Sequence, residues 1–373
     1  MTPKELVDIL RAHDRYVRGQ AGGVRADLRG QDLSGLRLPR INLHEASLAG
    51  VDFHRSDLSQ ADFSSADLYG ANFERSVAAG TNFERADLRG AKFKGAVLTQ
   101  ARLARADLRP GSLAGSIGKP KPDDADGAGS GDAAIDKAAA PKSGAVRSDL
   151  RGAEMQGADL RSAAMTGVDL AGANLTGANL AMARMNGARL TGAILAGVDL
   201  SSTDLRDAEI SHGVLKLPPN VQELLRNHVL WSDSGGADGS RAMFTGMDFQ
   251  GADLAGIFLS GADLKACNLS SANLADAELV LADLRDANLF KADLRRADLS
   301  GANMQNADLR QAKLSHAVLK PVEIRGRAGE SKGRSIPTVL RGARLTDADL
   351  SHVNLSQVVA DPGVAPGPRP PQS

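Results

Sequence analysis

The stretch Arg25–Phe53 reads RADLRGQDLSGLRLPRINLHEASLAGVDF, with a large apolar residue at every fifth position: Leu28, Leu33, Leu38, Leu43, Leu48 and Phe53. Calling that residue i, the register runs from Leu28 to Leu113 and resumes over Leu150–Leu215, Phe244–Leu319 and Leu340–Leu355, giving 52 repeats, or 260 of 373 residues. The centres are 39 Leu, 7 Phe, 4 Met, 1 Ile and a single small residue, Ala78. Position i−2 is Ala in 34 repeats and i−1 is Asp or Asn in 31, so a small residue, a turn-former and a large residue recur in that order.

A period of five fits neither regular element. On a helix five residues advance about 500°, which would spread the leucines over every face. On a straight strand an odd period sends successive leucines to opposite faces. Positions i−2 and i share one face of a short extended segment, and the chain must bend before the next i−2 to point inward again. One repeat is therefore a short strand plus a corner, and successive repeats wind into a coil. Asp and Asn suit the corner because they bond nearby backbone groups, and glycines recur at i+2 (Gly30, Gly70, Gly90, Gly152). Alternating Ala and Leu fill a narrow interior, which accounts for only 9 Phe, 2 Tyr and 1 Trp in the chain.

Segments such as Asp169–Leu180, DLAGANLTGANL, resemble the pentapeptide-repeat family, A(D/N)Lxx. That resemblance implies an all-β solenoid, a right-handed quadrilateral parallel β-helix with four repeats per coil. Under four repeats per coil, Phe53, Phe73 and Phe93 stack in one column, and Phe63 and Phe83 stack on the opposite wall.

The chain reads as a tandem duplication of helix-capped modules. Ile9–Tyr16 (ILRAHDRY) matches Leu224–Trp231 (LLRNHVLW), and each is followed by a Gly-rich stretch, then Arg-Ala, then repeats. Both leading segments predict amphipathic capping helices with His13, Tyr16, His228 and Trp231 on the apolar face. Thr2 with Glu5 forms a capping box, and Asn220 with Glu223 repeats the device. Such caps cover the exposed leucines and strand edges of an open coil end. The resulting division is a capping helix in 1–25, repeats in 26–115, a disordered loop in 116–147 and repeats in 148–217. There follow a second capping helix in 218–241, repeats in 242–320, an insertion loop in 321–337, repeats in 338–357 and a Pro-rich disordered tail in 358–373. The 18 repeats before the first loop and 14 after it make eight whole coils, one tower from which the loop bulges.

Composition narrows the function. Lys+Arg and Asp+Glu are 45 each, so the chain lacks the charge footprint of a nucleic-acid binder. No apolar run approaches the roughly 18 residues of a membrane span, and neither a membrane role nor a signal-peptide core is expected; a bacterial, cytoplasmic protein is. One Cys rules out a disulfide framework, and Cys267, replacing Ala at an i−2 position, is expected to be buried and unreactive. The seven His show no metal-ligand spacing, and no nucleophile elbow or phosphate loop occurs. Catalytic residues, cofactors and metals are therefore expected to be absent. Residues 1–115 carry 17 bases against 14 acids, and Arg85, Arg89, Arg105 and Arg109 fall in pairs twenty apart, a candidate surface for an acidic protein partner.

Two functions are set against each other. The first is a non-enzymatic scaffold presenting flat walls to a protein partner. The second comes from the resemblance, because some pentapeptide-repeat proteins mimic duplex DNA toward type II topoisomerases. Mimicry needs dense negative charge, whereas here 21 of the 35 Asp sit at i−1 and Arg offsets them.

Overall fold

The computed structural model describes residues 1–112, 145–210, 216–325 and 331–362. They form two units, residues 1–209 and 210–373, each considered by itself. Each opens with a helix, α1 (Pro3–Val17) or α2 (Pro219–Asp233), and continues as a solenoid of pentapeptide repeats. Within each uninterrupted run, residues twenty apart pair in parallel: Asp27 with Ser47, Ser47 with Asp67, Asp67 with Asp87, Asp87 with Asp107. Four repeats therefore close one coil.

The hydrogen bonds of one repeat show why the sequence repeats as it does. Around Phe63, the i−2 N–H of Ala61 bonds Leu58 of the preceding repeat, and the i−1 N–H of Asp62 bonds Ile41 one coil back. The N–H groups of Phe63 and Ser65 bond Asn82 and Glu84 one coil ahead. The remaining N–H, at i+1 Ser64, is taken by the Asp62 carboxylate at 2.9 Å. Asp or Asn at i−1 is thus the acceptor for the one amide that no carbonyl reaches. The corner residue at i+2 has a left-handed backbone, φ +65° at Gly30 and +59° at Arg85, which glycine adopts without cost.

The interior is filled. Phe53, Phe73 and Phe93 stack with ring centroids 5.2 and 4.6 Å apart, and Phe63 and Phe83 stack at 5.4 Å. The two columns meet edge-on, Phe53 to Phe63 and Phe73 to Phe83 both at 5.5 Å. Cys267 is buried and donates its thiol hydrogen to the Phe244 carbonyl at 2.9 Å; burial pushes the thiol up to about 11.

At the head of each unit an imidazole joins helix to coil. His13 Nδ1 accepts the Ala26 N–H at 3.0 Å, and His228 Nδ1 accepts the Ala242 N–H at 3.2 Å. Tyr16 and Trp231 stack on these rings at 5.7 and 5.6 Å. In α1, Thr2 and Glu5 bond reciprocally, the Thr2 hydroxyl accepting the Glu5 N–H and the Glu5 carboxylate the Thr2 N–H. The expected equivalent in α2 is absent. Pro219, whose fixed φ suits the first helical position, starts the helix one residue early, so Pro218 occupies the cap without a side-chain bond. Asn220 then lies inside the first turn, and Glu223 accepts instead from Arg226 and Asn227, both at 3.1 Å.

The fold departs from the sequence expectation at four further places. Gly111 and Ser112, which open the repeat centred on Leu113, leave the wall: β1 (Gly111–Ser112) pairs antiparallel with β2 (Ala145–Val146), and Leu113 itself lies outside the described residues. Asp149 takes the vacated place beside Lys92, so the coil continues across the insertion. Consequently Ala145 and Val146 are strand rather than disordered loop, while 116–144 lies outside the described residues. Within the 321–337 insertion, β3 (Val322–Arg325) pairs antiparallel with β4 (Ser331–Ile336), and 326–330 lie outside the described residues. The final coil extends past 357 into the expected tail, since Val359 pairs with Val339 and Leu340 N–H bonds the Val359 carbonyl. That repeat, centred on Ala360, escapes notice because its central residue is small. Residues 363–373 lie outside the described ones.

Both insertions are fastened in the same way. Ser148 and Thr338, the first inward residues after each, are fully buried. The Ser148 hydroxyl accepts the Gly90 N–H at 2.9 Å and donates between the Arg109 carbonyl at 3.2 Å and the Leu88 carbonyl at 3.4 Å. The Thr338 hydroxyl accepts the Gly301 N–H and donates to the Leu299 carbonyl, both at 3.0 Å. The two modules therefore share their insertion seam as well as their leading helix.

Candidate binding surface

With the interior closed, chemistry has only the outer walls. Positions i−1 and i+1 lie two apart on the same outward face, and every one of the nine Asp-Leu-Arg triplets in the sequence uses that proximity. In Asp87–Arg89, for example, Nε and Nη2 of the arginine donate to the two carboxylate oxygens at 2.8 and 2.5 Å. Asp107–Arg109, Asp159–Arg161, Asp283–Arg285 and Asp308–Arg310 repeat it. The guanidinium in each triplet holds the carboxyls of Asp27, Asp159, Asp204, Asp283, Asp293 and Asp308 below the usual carboxylate range. Nine repeats are thus neutralised internally, each by its own arginine.

The four arginines singled out from the sequence divide in two. Arg89 and Arg109 are i+1 residues committed to Asp87 and Asp107. Arg85 and Arg105 are i+2 corner residues on successive coils of one column, and neither makes a side-chain hydrogen bond or ion pair with any described residue. Glu84, next to Arg85, turns instead to Arg102 at 2.6 Å. Around this corner runs an open groove of about 390 Å³, lined by Glu84, Arg85, Ala104, Arg105, Arg161 and Met182 among others.

Two clusters that sequence spacing hid resemble chemical sites. His44 Nδ1 lies 2.8 Å from the Ser64 hydroxyl, and its Nε2 lies 3.4 Å from the Glu45 carboxylate. A twenty-residue step places the histidine over the serine, a relation visible only once coils are assembled. The Ser64 hydroxyl, however, donates to Asp62 at 2.6 Å. All five amides of its repeat are already bonded, leaving none to hold an oxyanion. His316 and His352 stack at 4.4 Å with planes 6° apart, brought together because the insertion adds sixteen residues to the usual twenty. Ring-plane lone pairs in near-parallel rings do not converge on one ion. No group of three metal-ligating side chains occurs among the described residues. No described helix is long and apolar enough to cross a membrane.

The histidines under the helices are buried with Nε2 lacking a hydrogen-bond partner among the described residues. Burial lowers the His13 pKa, and it takes His228 down to about 4, Arg241 adding to the fall and the Ser260 carbonyl opposing it.

Comparison with known proteins places these features. The family model for pentapeptide repeats matches eight stretches, 24–60, 56–95, 81–109, 146–181, 183–215, 248–286, 282–320 and 338–359, about two-thirds of the chain. No curated protein matches. Among solved structures, HetL, a pentapeptide repeat protein involved in heterocyst differentiation regulation in Nostoc sp. strain PCC 7120, is 21% identical. The alignment covers 96% of this chain and 97% of HetL, with a TM-score of 0.25. A pentapeptide repeat protein of the Arabidopsis thaliana thylakoid lumen is 28% identical over 22% of this chain and 65% of its own, TM-score 0.21. Full-length QnrB1, a plasmid-mediated fluoroquinolone resistance protein, is 15% identical over 90% and 94%, TM-score 0.16.

Proposed function

Because the chain belongs to the pentapeptide-repeat family, we propose that it is a non-enzymatic scaffold that recognises a protein partner through the outer walls of right-handed, helix-capped coils. The observation that carries this reading is the complete use of the repeat's own polar groups. Every amide around Ser64 is bonded, and the Asp-Leu-Arg triplets hold their charges in internal pairs. Such a surface has few groups poised to react and a rigid backbone on which corner side chains stand at fixed spacing.

The same pairing argues against mimicry of duplex DNA, which carries about one charge per 1.7 Å. Here the guanidiniums of Arg29, Arg89, Arg151 and Arg285 are bonded directly to the carboxylates that mimicry would need exposed. The test is capture of partners by the full-length protein from its source cells, followed by reconstitution from purified components. A stoichiometric complex that leaves the partner chemically unchanged is expected. Turnover of any substrate overturns the reading, and direct inhibition of a purified type II topoisomerase transfers it to the mimic class.

A further inference from the structure

We propose that the groove along the Arg85–Arg105 corner binds an extended acidic segment of the protein partner, with carboxylates on the two guanidiniums and an apolar side chain against Met182. This inference rests on the scaffold reading and specifies the partner's chemistry. The groove follows one corner across four successive coils, from Glu84–Arg85 through Ala104–Arg105 and Arg161–Ser162 to Ala181–Met182. At about 4.8 Å per coil its length is about 14 Å, room for four or five residues of extended chain.

Four observations give it polarity. Arg102 and Arg161 on this wall are paired with Glu84 and Asp159, whereas Arg85 and Arg105 are left with each other, like charges one coil apart. An arriving carboxylate relieves that repulsion and gains charge-assisted hydrogen bonds, for which the planar guanidinium is well shaped. Ala104 and Ala181, at i+1 on two of the four coils, are too short to fill the groove, whose long i+1 side chains, Glu84 and Arg161, are turned to Arg102 and Asp159. At its far end Met182 is 70% exposed, the most exposed large apolar side chain among the described residues. A flexible thioether suits an apolar contact of unspecified shape. Both guanidiniums stand on left-handed corners, φ +59° and +61°, which fixes the direction in which each side chain leaves the wall.

The experiment is fluorescence anisotropy with full-length protein and the labelled peptide Glu-Ser-Glu-Ser-Glu-Leu, alongside its Gln-Ser-Gln-Ser-Gln-Leu counterpart. The acidic peptide is expected to bind at least tenfold more tightly than the amide peptide. The double variant Arg85→Gln/Arg105→Gln should lose that preference, and Met182→Ser should weaken binding a few-fold. Arg55→Gln, an arginine on another corner, should change nothing. Circular dichroism of each variant separates loss of binding from loss of fold. Equal binding of the two peptides, no binding of either, an unaffected double variant, or tighter binding of a single-stranded oligonucleotide each overturns the proposal. A reconstituted partner that binds the double variant as well as wild type overturns the groove while leaving the scaffold standing. Failure to isolate any partner strikes the scaffold reading alone, because the peptide assay is read independently.

Discussion

Lowering the pH from 7 to 5 should open the joint between α2 and its first coil, and the cause is one imidazole. His228 is fully buried, its Nδ1 accepts the Ala242 N–H, and its folded-state pKa is about 4 against 6.5 in the open chain. Because the folded value is the lower one, the neutral ring is what the fold stabilises. That contribution is fully present above pH 6.5, is lost progressively as pH falls toward 4, and changes no further below it. At about 1.4 kcal/mol per pH unit, the whole interval is worth about 3 kcal/mol, of which about 2 kcal/mol is lost between pH 7 and 5. Protonation also removes the acceptor lone pair, so the Ala242 amide is released at the same time. Two local probes read the event. Trp231, the single tryptophan, stacks on His228 at 5.6 Å and should lose fluorescence as the ring becomes charged or leaves. Hydrogen exchange at Ala242, corrected for its intrinsic pH dependence, should accelerate about thirtyfold from pH 7 to pH 5. In His228→Gln the amide oxygen can accept the Ala242 N–H without titrating, so the acid slope should vanish even where baseline stability falls. An identical slope in that variant, or a flat wild-type response, refutes the reasoning.

Two further outcomes follow from packing. Gly301→Ala should cost about 2–4 kcal/mol in urea unfolding, combining left-handed strain with overpacking, because an added Cβ would come within 2.7 Å of Leu281 and 2.9 Å of Val322. Gly30→Ala, at φ +65° with nothing within 4 Å, should cost only about 1–2 kcal/mol, and equal losses would show that β3–β4 does not seat on Gly301. Phe73→Ala should cost about 3–5 kcal/mol, since that ring touches Phe53, Phe63, Phe83 and Phe93; a loss below 1 kcal/mol would mean the columns are not packed as described.

Much of this architecture is legible because each inward position repeats one chemical demand. Leu28, Leu48 and Leu68 recur at the spacing of a coil, and the stacking of Phe53 on Phe73 follows from four repeats per coil, a number the family resemblance supplied. What stayed hidden depended on breaks in the period. Ala360 carries too small a side chain to mark a centre, yet its repeat still closes the last coil. Gly111 and Ser112 keep the repeat's spacing but leave the wall, because the chain is drawn out to meet Ala145 and Val146. Asn220 has a cap-forming side chain, but two preceding prolines fix the start of α2 by backbone geometry instead. His316 and His352 sit 36 residues apart, and only the length of the insertion shows that they share a column.

The candidate surface was half legible for a related reason. Arg85, Arg89, Arg105 and Arg109 look alike in the sequence, all being arginines in pairs twenty apart. The structure supplies two rules that separate them. An i+1 charge faces i−1 of its own repeat, as in Asp107–Arg109, while an i+2 charge faces the i+2 residue one coil away, as in Asp276–Arg296 at 2.5 Å. Under the first rule Arg89 and Arg109 are neutralised by the Asp two residues before each. Under the second, Arg85 looks to Ser65 and Arg105, and Arg105 looks to Arg85 and Ser162, none of them acidic. Arg85 and Arg105 are therefore charges that neither rule neutralises, standing together at one i+2 corner. An acidic segment of a partner would meet these two guanidiniums at a single corner, at the spacing of one coil.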